Sequence, residues 1–534
     1  MINILRRTVN TVNRNDKRLL IFVLLFLNTL SLVLGENEEE YFAFARAFMD
    51  QTWIPGAKSV IDIPGTRILF DTVIGYTLRY ATFEQVALAG RCLIALLFAF
   101  PLARIFTKLR LTNLESLFLL QLICILSHQS FFGKEWIFRS FETKTISYVF
   151  VFYSLFYLLD TRYLRSVLFA GFAVYFHILV GGWYALLLFV FLLVSGTPLK
   201  SMLRYALVFS ALTAPFGLYL TDAYLVDNPG IIDGVTVSQI YVYLRNPHHL
   251  DIIRQIGHWG SSTQIGVILS FLAGWLCVRL YVSNRDEVIR KLALLNIVIF
   301  GQQLVSLLIA LKDTSGAFLK FYPYRTSSLS LFLVSLLLMV LAKRSFSRPE
   351  SPAEGTAGGH AMVVASLMIV CITAGLGVNL YKNIRDSHDL LWPAPETAAR
   401  MSLYGWIKTH TPPDAVFLNL NQRLRDDLDF MRKTERDRFS VSKFVPTSNR
   451  MIYDWYRRVQ EKDRVKADIA YIDELSKKYR IDFVVTKTRM DNPCLRLVYS
   501  NDYYSLYSVL SNKVCVYGGL TPLYMAILWP AKNA

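Results

Sequence analysis

Between Leu19 and Tyr381 the chain passes through eleven apolar segments, at 19–34, 85–103, 113–130, 146–159, 166–180, 182–196, 205–220, 262–280, 292–310, 327–342 and 361–381. In a bilayer, every backbone N–H and C=O must find its partner within the protein. Segments of this kind satisfy that requirement as helices. The expected fold class is therefore mainly α, a polytopic transmembrane helical bundle of about 11 spans. With 54% hydrophobic residues over 534 positions, a soluble chain is the weaker reading. Several segments are short for a full crossing, and 166–196 reads as broken or re-entrant. Segment 66–80 carries Arg67, Asp71 and Arg79, and is expected to lie along the interface.

Charge orients the bundle. Arg6, Arg7, Arg14, Lys17 and Arg18 precede the first segment, and no small-residue cleavage site follows Leu34, so an uncleaved first span is expected. With the N-terminus in the cytoplasm, the inner loops hold Arg104, Lys108, Arg110, Arg162, Arg165, Lys200, Arg204 and the basic groups at 279–291 and 343–348. The outer loops are poorer in Lys and Arg for their length, as the positive-inside rule requires. The net charge of +17 then reflects topology and anionic headgroups rather than nucleic acid. Every polar motif falls on the outer face.

The expected organisation is a transmembrane core at 1–342, a cytoplasmic Ser/Pro/Gly-rich linker at 343–360 and a last span at 361–381. A small extracytoplasmic α/β domain at 385–515 and a tail at 516–534 follow. Helical spacing in that domain falls at 396–410, 448–462 and 466–479. Its arginines, among them Arg423, Arg425, Arg432, Arg436 and Arg438, with Lys443, read as a charged surface. Cys494 and Cys515 are placed to pair if this domain lies outside the cell.

Five outer motifs carry the chemistry. Gly35 to Tyr41 crowds Glu36, Glu38, Glu39 and Glu40 at a helix start. Acidic residues there suit the helix dipole, and a partly desolvated carboxylate suits a general base. Glu38 is the first candidate and Glu36 the second, with the choice between them open. Lys134 to Lys144 offers Arg139 for a lipid phosphate, while Glu135, Arg139 and Glu142 are spaced as a helical ion-pair row. His177 precedes Gly181-Gly182-Trp183. The string Tyr241 to Leu250 gathers Arg245, His248 and His249 for a phosphate or sugar, with zinc disfavoured for want of a third ligand at helical spacing. Lys320 and Arg325, among Tyr322 and Tyr324, suit a pyrophosphate or simple interfacial anchoring. No Gly-rich phosphate loop or nucleophile elbow is present.

A short basic N-terminus, one span, an acidic first outer loop, many further spans and a soluble outer domain together resemble the GT-C superfamily of polytopic glycosyltransferases. The strings Gly35 to Tyr41, Lys134 to Thr143, His177 to Trp183 and Arg245 to Leu250 are also similar to a bacterial membrane group of that kind, over roughly residues 1–345. The resemblance implies transfer of a sugar from a polyprenyl-phosphate carrier to a lipid or glycan acceptor at the outer face of a bacterial cytoplasmic membrane. It implies a first-loop carboxylate, Glu36 or Glu38, as base or metal ligand. The family commonly has an aspartate pair or an Asp-Glu pair where this chain has Glu-Asn-Glu. Arg139, His248, His249, Lys320 and Arg325 match the family's phosphate-holding cations. The family leaves dependence on a divalent metal open.

A polysaccharide polymerase or ligase would centre on arginine-rich loops more than on a first-loop carboxylate. A transporter or flippase would place ionisable or helix-breaking residues at mid-membrane in paired halves. Neither pattern is evident in the sequence, and both remain the alternatives to the transferase.

Overall fold

The computed structural model describes residues 2–60, 65–225, 230–346, 357–421, 427–446 and 448–510. It is mainly helical, with a small sheet region near the C-terminus. Each apolar segment expected from the sequence coincides with a helix. The helices are Lys17–Thr29, Phe83–Lys108, Asn113–Ile125, Thr143–Leu159, Tyr163–Phe176, Ile178–Val194, Leu199–Leu225, Ser262–Ser283, Glu287–Ala310, Thr326–Phe346 and Ala357–Leu391. Among the described residues, six stretches are long and apolar enough to cross a membrane: Phe83–Lys108, Leu199–Thr221, Ser262–Ser283, Glu287–Ala310, Leu319–Ser345 and Met362–His388. These are the mark of a membrane protein. The helices Asn113–Ile125, Thr143–Leu159, Tyr163–Phe176 and Ile178–Val194 are apolar but shorter.

Local chemistry sets the helix starts. Asp16, Thr82, Thr112, Ser261 and Asp286 each accept hydrogen bonds from backbone amides of the turn they begin. Thr82 with Gln85 and Thr112 with Glu115 complete reciprocal capping boxes. The first apolar segment stops being helical at Thr29, short of Leu34. The irregular stretch that follows is held by Arg91, which donates to the carbonyls of Ser31 at 2.6 Å and Val33 at 2.9 Å.

The chain divides into two units. The first comprises Met1–Trp53, Val60–Ala394 and Lys443–Tyr456. In it, Tyr163–Phe176 packs on both Thr143–Leu159 and Ile178–Val194. The break between Tyr163–Phe176 and Ile178–Val194 falls at His177, with φ −155° and ψ 99°. Gly181 lets these two helices meet, since a Cβ there would lie 2.3 Å from the Val174 nitrogen. Helix Ile68–Thr77, expected to lie on the surface, packs against Glu36–Met49, burying Phe70, Asp71 and Ile74 and leaving Val73 and Tyr76 exposed. Arg67 is also buried, 3.8 Å from Asp71, so this charged pair is part of the packing. A two-stranded hairpin, β1 (Ile231–Ile232) and β2 (Val235–Thr236), precedes the Tyr241–Leu250 string, which forms a π-helical turn at Ile240–Arg245 and a short α-helix at Pro247–Leu250.

The second unit comprises Ile54–Ser59, Pro395–Ser442 and the residues from Arg457 on. Its sheet has β3 (Val416–Asn419), β4 (Asp437–Arg438), β5 (Phe483–Thr486), β6 (Leu495–Ser500) and β7 (Ser505–Val509), in the order β4-β3-β5-β7-β6. Strands β4, β3 and β5 run parallel, while β7 is antiparallel to β5 and β6. Leu418, Val465, Leu475, Val484 and Tyr507 form part of its core. The expected helices appear as Pro395–His410, Asn449–Ala467 and Ile472–Lys478.

The expected 385–515 domain is interrupted. Lys443–Tyr456 belongs to the first unit, because Val445, Ile452 and Tyr453 pack with Ile240 and Phe444 meets Phe44 at 6.0 Å between ring centroids. Ile54–Ser59 belongs to the second unit, where Lys58 N–H donates to Asp437 at 2.7 Å. Arg436 and Arg438 are buried rather than part of a charged surface. Arg423, Arg425 and Cys515, with the pairing considered for Cys494, and the 516–534 tail lie outside the described residues.

Candidate functional site

The first-loop glutamates begin helix Glu36–Met49, and the structure gives them different surroundings. Glu38 is fully buried. Its carboxylate accepts from Gly35 N–H at 2.7 Å, Phe141 N–H at 2.8 Å and Arg91 Nε at 2.9 Å, and it forms a further contact with Arg91 Nη2. Each oxygen thus has two donors, an arrangement that anchors a loop and leaves no lone pair for an incoming proton. Glu36 is exposed to solvent.

Glu40, one turn further on, is buried beside cations. Lys443 Nζ stands 3.8 Å from its Oε2. Burial pushes the Glu40 carboxyl above the usual range, against the opposing pull of Lys443, Arg245, Arg67 and the Val445 amide. The Arg245 guanidinium donates to the Lys443 carbonyl at 3.2 Å, and its Nε is buried without a partner among the described residues. Tyr41 follows Glu40. Burial first, then Glu40 and Glu142, push its phenol up, with Arg67 and Arg325 opposing.

The 130–142 stretch is not helical, so the ion-pair row of Glu135, Arg139 and Glu142 does not form. Glu135 instead pairs with Lys144 at 2.8 Å and Arg325 at 3.7 Å. Burial would raise the Glu135 carboxyl, but Arg325, Lys144 and His249 together hold it well below the ordinary carboxylate range. Glu142 accepts from Trp136 Nε1 at 2.6 Å and Asn37 Nδ2 at 2.6 Å, tying this loop to helix Glu36–Met49. The Trp136 ring has Lys144 Nζ at 3.5 Å and the Arg139 guanidinium at 5.0 Å from its centroid. Gly90 admits the end of the loop, since a Cβ there would fall 2.1 Å from the Phe141 ring.

Arg325 gathers several predicted residues. Its Nη1 lies 2.9 Å from His177 Nε2. A guanidinium only donates, so Nε2 accepts in this contact, while Nδ1 faces the Val180 N–H at 3.4 Å. Arg325 also lies 4.1 Å over the Tyr322 ring. Tyr322 holds a left-handed backbone at φ 52°, and Lys134, just before Glu135, does so at φ 50°. Side chains of this size rarely adopt that region, and such strain gathers at working sites.

His249 Nδ1 donates to the Gly133 carbonyl at 2.7 Å, which leaves Nε2 as an acceptor. Its ring centroid is 4.1 Å from that of His248, which is more open to solvent. Burial, opposed by Glu135, lowers His249 to about 3, and burial with Arg245 and Lys134 lowers His248 to about 4. Both imidazoles are therefore neutral near pH 7.

The structure thus links His177 to Arg325 and Arg325 to Glu135, sets His248 against His249, and brings Arg245 to Lys443 beside Glu40. Lys320 is exposed, with its Nζ 5.4 Å from the Phe321 ring centroid. Arg139 is exposed and lines a small groove with a cavity volume of about 20 Å³. Leu25, Ile94, Ala95, Phe98 and Phe138 give it apolar walls, and Thr29, Arg91, Ser140 and Thr145 add polar ones beside Arg139. Among the described residues, no group of three or more His, Cys, Asp or Glu is arranged to hold a metal ion.

Sequence reasoning passed over the roles of Glu40, Tyr41, Glu135, Lys144 and Lys443. Glu40 carried a signal, since it belongs to the glutamate run. Lys443 carried none, because nothing in its neighbourhood sets it apart from the other basic residues of the C-terminal region. Comparison with protein-family models and with curated proteins returned no match.

Proposed function

We propose that this membrane protein is a glycosyltransferase of the GT-C kind, moving a sugar from a polyprenyl-phosphate carrier to an acceptor hydroxyl, with Glu40 as the base. Glu40 takes the acceptor proton. The acceptor oxygen attacks the anomeric carbon and forms the new C–O bond. The bond from that carbon to phosphate breaks, and its electron pair leaves on the polyprenyl phosphate, inverting the centre. Arg139 meets the phosphate, and Arg245 and Lys443 keep the acceptor side positive. Neutral His248 and His249 offer acceptors to sugar hydroxyls.

In this reading the chain crosses a bacterial cytoplasmic membrane eleven times, with its N-terminus inside and both the Glu40 site and the C-terminal unit outside. The observation that carries the reading is Glu40 itself: a buried carboxylate with its proton affinity raised, placed among cations at the start of the first outer helix. The exposed Arg139 guanidinium, beside the Trp136 ring, adds a cation for a lipid phosphate.

The test is transfer from labelled polyprenyl-phosphate sugars by protein purified in native lipids, comparing wild type with Glu40→Gln. A fall of about 100-fold or more is expected for loss of a general base. Undiminished transfer by Glu40→Gln would refute the assignment, and no transfer from any such donor by wild type would refute the class.

A further inference from the structure

The second unit contains a group of buried charges that the transfer reaction does not use. Lys462, on helix Asn449–Ala467, is 7% exposed, yet no hydrogen bond or ion pair engages it among the described residues. Arg438, at the end of β4, is 5% exposed. It donates from Nη1 to the Asp427 carbonyl at 2.8 Å, while its Nε is buried without a partner among the described residues. Ser440 Oγ, two residues on, is also buried and has no partner among them.

The two elements face each other. Arg458, one helical turn before Lys462 and on the same face, donates to the Phe439 carbonyl at 3.4 Å, between Arg438 and Ser440. The buried carboxylates nearby are already committed. Asp427 accepts from Asn419 Nδ2 and from Tyr404 at 3.4 Å, and stands 3.8 Å from Arg438 Nη2. Asp437 accepts from the amides of Lys58 at 2.7 Å and Arg438 at 2.8 Å. Among the described residues, Lys462 and Arg438 therefore look to the same carboxylate, Asp427. Burial, then Arg438 and Lys466, hold the Lys462 amine down to about 7, with Asp427 and Asp463 opposing. The position is also apt, because ligands of open sheets gather at the carboxyl ends of parallel strands, where β3 and β4 end.

We propose that the small α/β unit binds an oxyanion of its own, a phosphate or carboxylate, between Lys462 Nζ and Arg438 Nε with Ser440 Oγ as a third donor. The proposal does not depend on the transfer reaction. The anion completes the charge balance that the protein leaves short, and its arrival draws a proton onto Lys462.

The test is titration calorimetry on the full chain in detergent, near pH 7.5 and in two buffers of different ionisation enthalpy. The probes are sulfate, glucose 1-phosphate and glucuronate. Sulfate and glucuronate do not themselves titrate there, so buffer-dependent heat reports proton uptake by the protein. At least one probe is expected to bind, with uptake shown by sulfate or glucuronate. Lys462→Met should weaken binding about tenfold or more, while Lys462→Arg should retain it within a few-fold, as expected for one charge-assisted bond. Tighter binding of one sugar than of sulfate would identify the carrier of the anion, and equal binding would identify a bare-anion site. Absence of heat with all three probes, or binding to wild type by sulfate and glucuronate without proton uptake, overturns the proposal. The wild-type measurements decide the matter even if Lys462→Met fails to fold.

Discussion

Replacing Glu38 separates its role as an anchor from a role in chemistry. In wild type, its two oxygens receive four donors at a site closed to water. Glutamine keeps one oxygen and turns an amide toward two donors that then have no acceptor, one a backbone N–H and one on a buried guanidinium. A hydrogen bond to a charged group contributes about 1.5–3 kcal/mol, and breaking a buried ion pair by removing one partner costs about 3–5 kcal/mol. Arg91 retains the Ser31 and Val33 carbonyls at 2.6 and 2.9 Å. That places Glu38→Gln near the lower end, about 3 kcal/mol. Glu38→Leu with Arg91→Leu should recover much of the loss, because neither charge is then stranded. The assay is denaturant unfolding in detergent, arranged as a double-mutant cycle, with transfer measured per folded molecule. The anchor role predicts a large coupling energy, with activity falling only as folded protein falls. Stability within about 0.5 kcal/mol of wild type, the range of changes away from such features, combined with transfer lost by about 100-fold as for a missing base, would refute it and restore Glu38 as the base.

Glu40→Gln should lose transfer yet unfold no more readily than wild type near neutral pH. A carboxyl whose folded pKa is raised opposes folding above its unfolded pKa, and the amide removes that penalty. His249 should add acid sensitivity. Its folded pKa of about 3 lies below its ordinary value, so the unfolded chain takes up a proton that the folded one refuses. Stability should therefore fall as pH drops from about 6.5, by at most about 1.4 kcal/mol per unit. Unfolding midpoints across that range should flatten in His249→Asn. Gly181→Leu should abolish the folded peak in size-exclusion of detergent extracts, because its Cβ meets the Val174 backbone at 2.3 Å, whereas Gly182→Ala, with nothing within 4 Å, should be tolerated.

The helices were the legible part. Long apolar runs dictate them whatever they pack against, and even the break at His177 lay within a stretch that reads as interrupted. The exchange of Lys443–Tyr456 and Ile54–Ser59 between units was not legible. It depends on side chains far apart in sequence, such as Phe44 with Phe444, and no local periodicity records that. The same limit governs the glutamates. Position near one helix start makes Glu36, Glu38 and Glu40 nearly equivalent, and only the tertiary neighbours separate them. Arg91, deep in an apolar helix, was the available clue, because a lone arginine there needs an acid, and Glu38 supplies it.

Two buried glutamates of the membrane unit show what separates a structural charge from a proton carrier. Glu135 and Glu40 have the same side chain, and burial acts on both in the same direction. At Glu135, Lys144 lies at 2.8 Å and Arg325 at 3.7 Å, so paired charge outweighs desolvation and the carboxylate stays ionised. At Glu40 the ion pair with Lys443 is 3.8 Å long and desolvation wins. A base must hold its proton weakly enough to start empty and strongly enough to take one from a hydroxyl. Glu135 is biased too far toward the ion to accept that proton. Glu40 is biased toward accepting it, with Lys443 and Arg245 close enough to keep the empty form accessible. Moving a cation closer to Glu40 would lower its proton affinity and weaken it as a base, so the longer ion pair is the arrangement that the proposed chemistry requires.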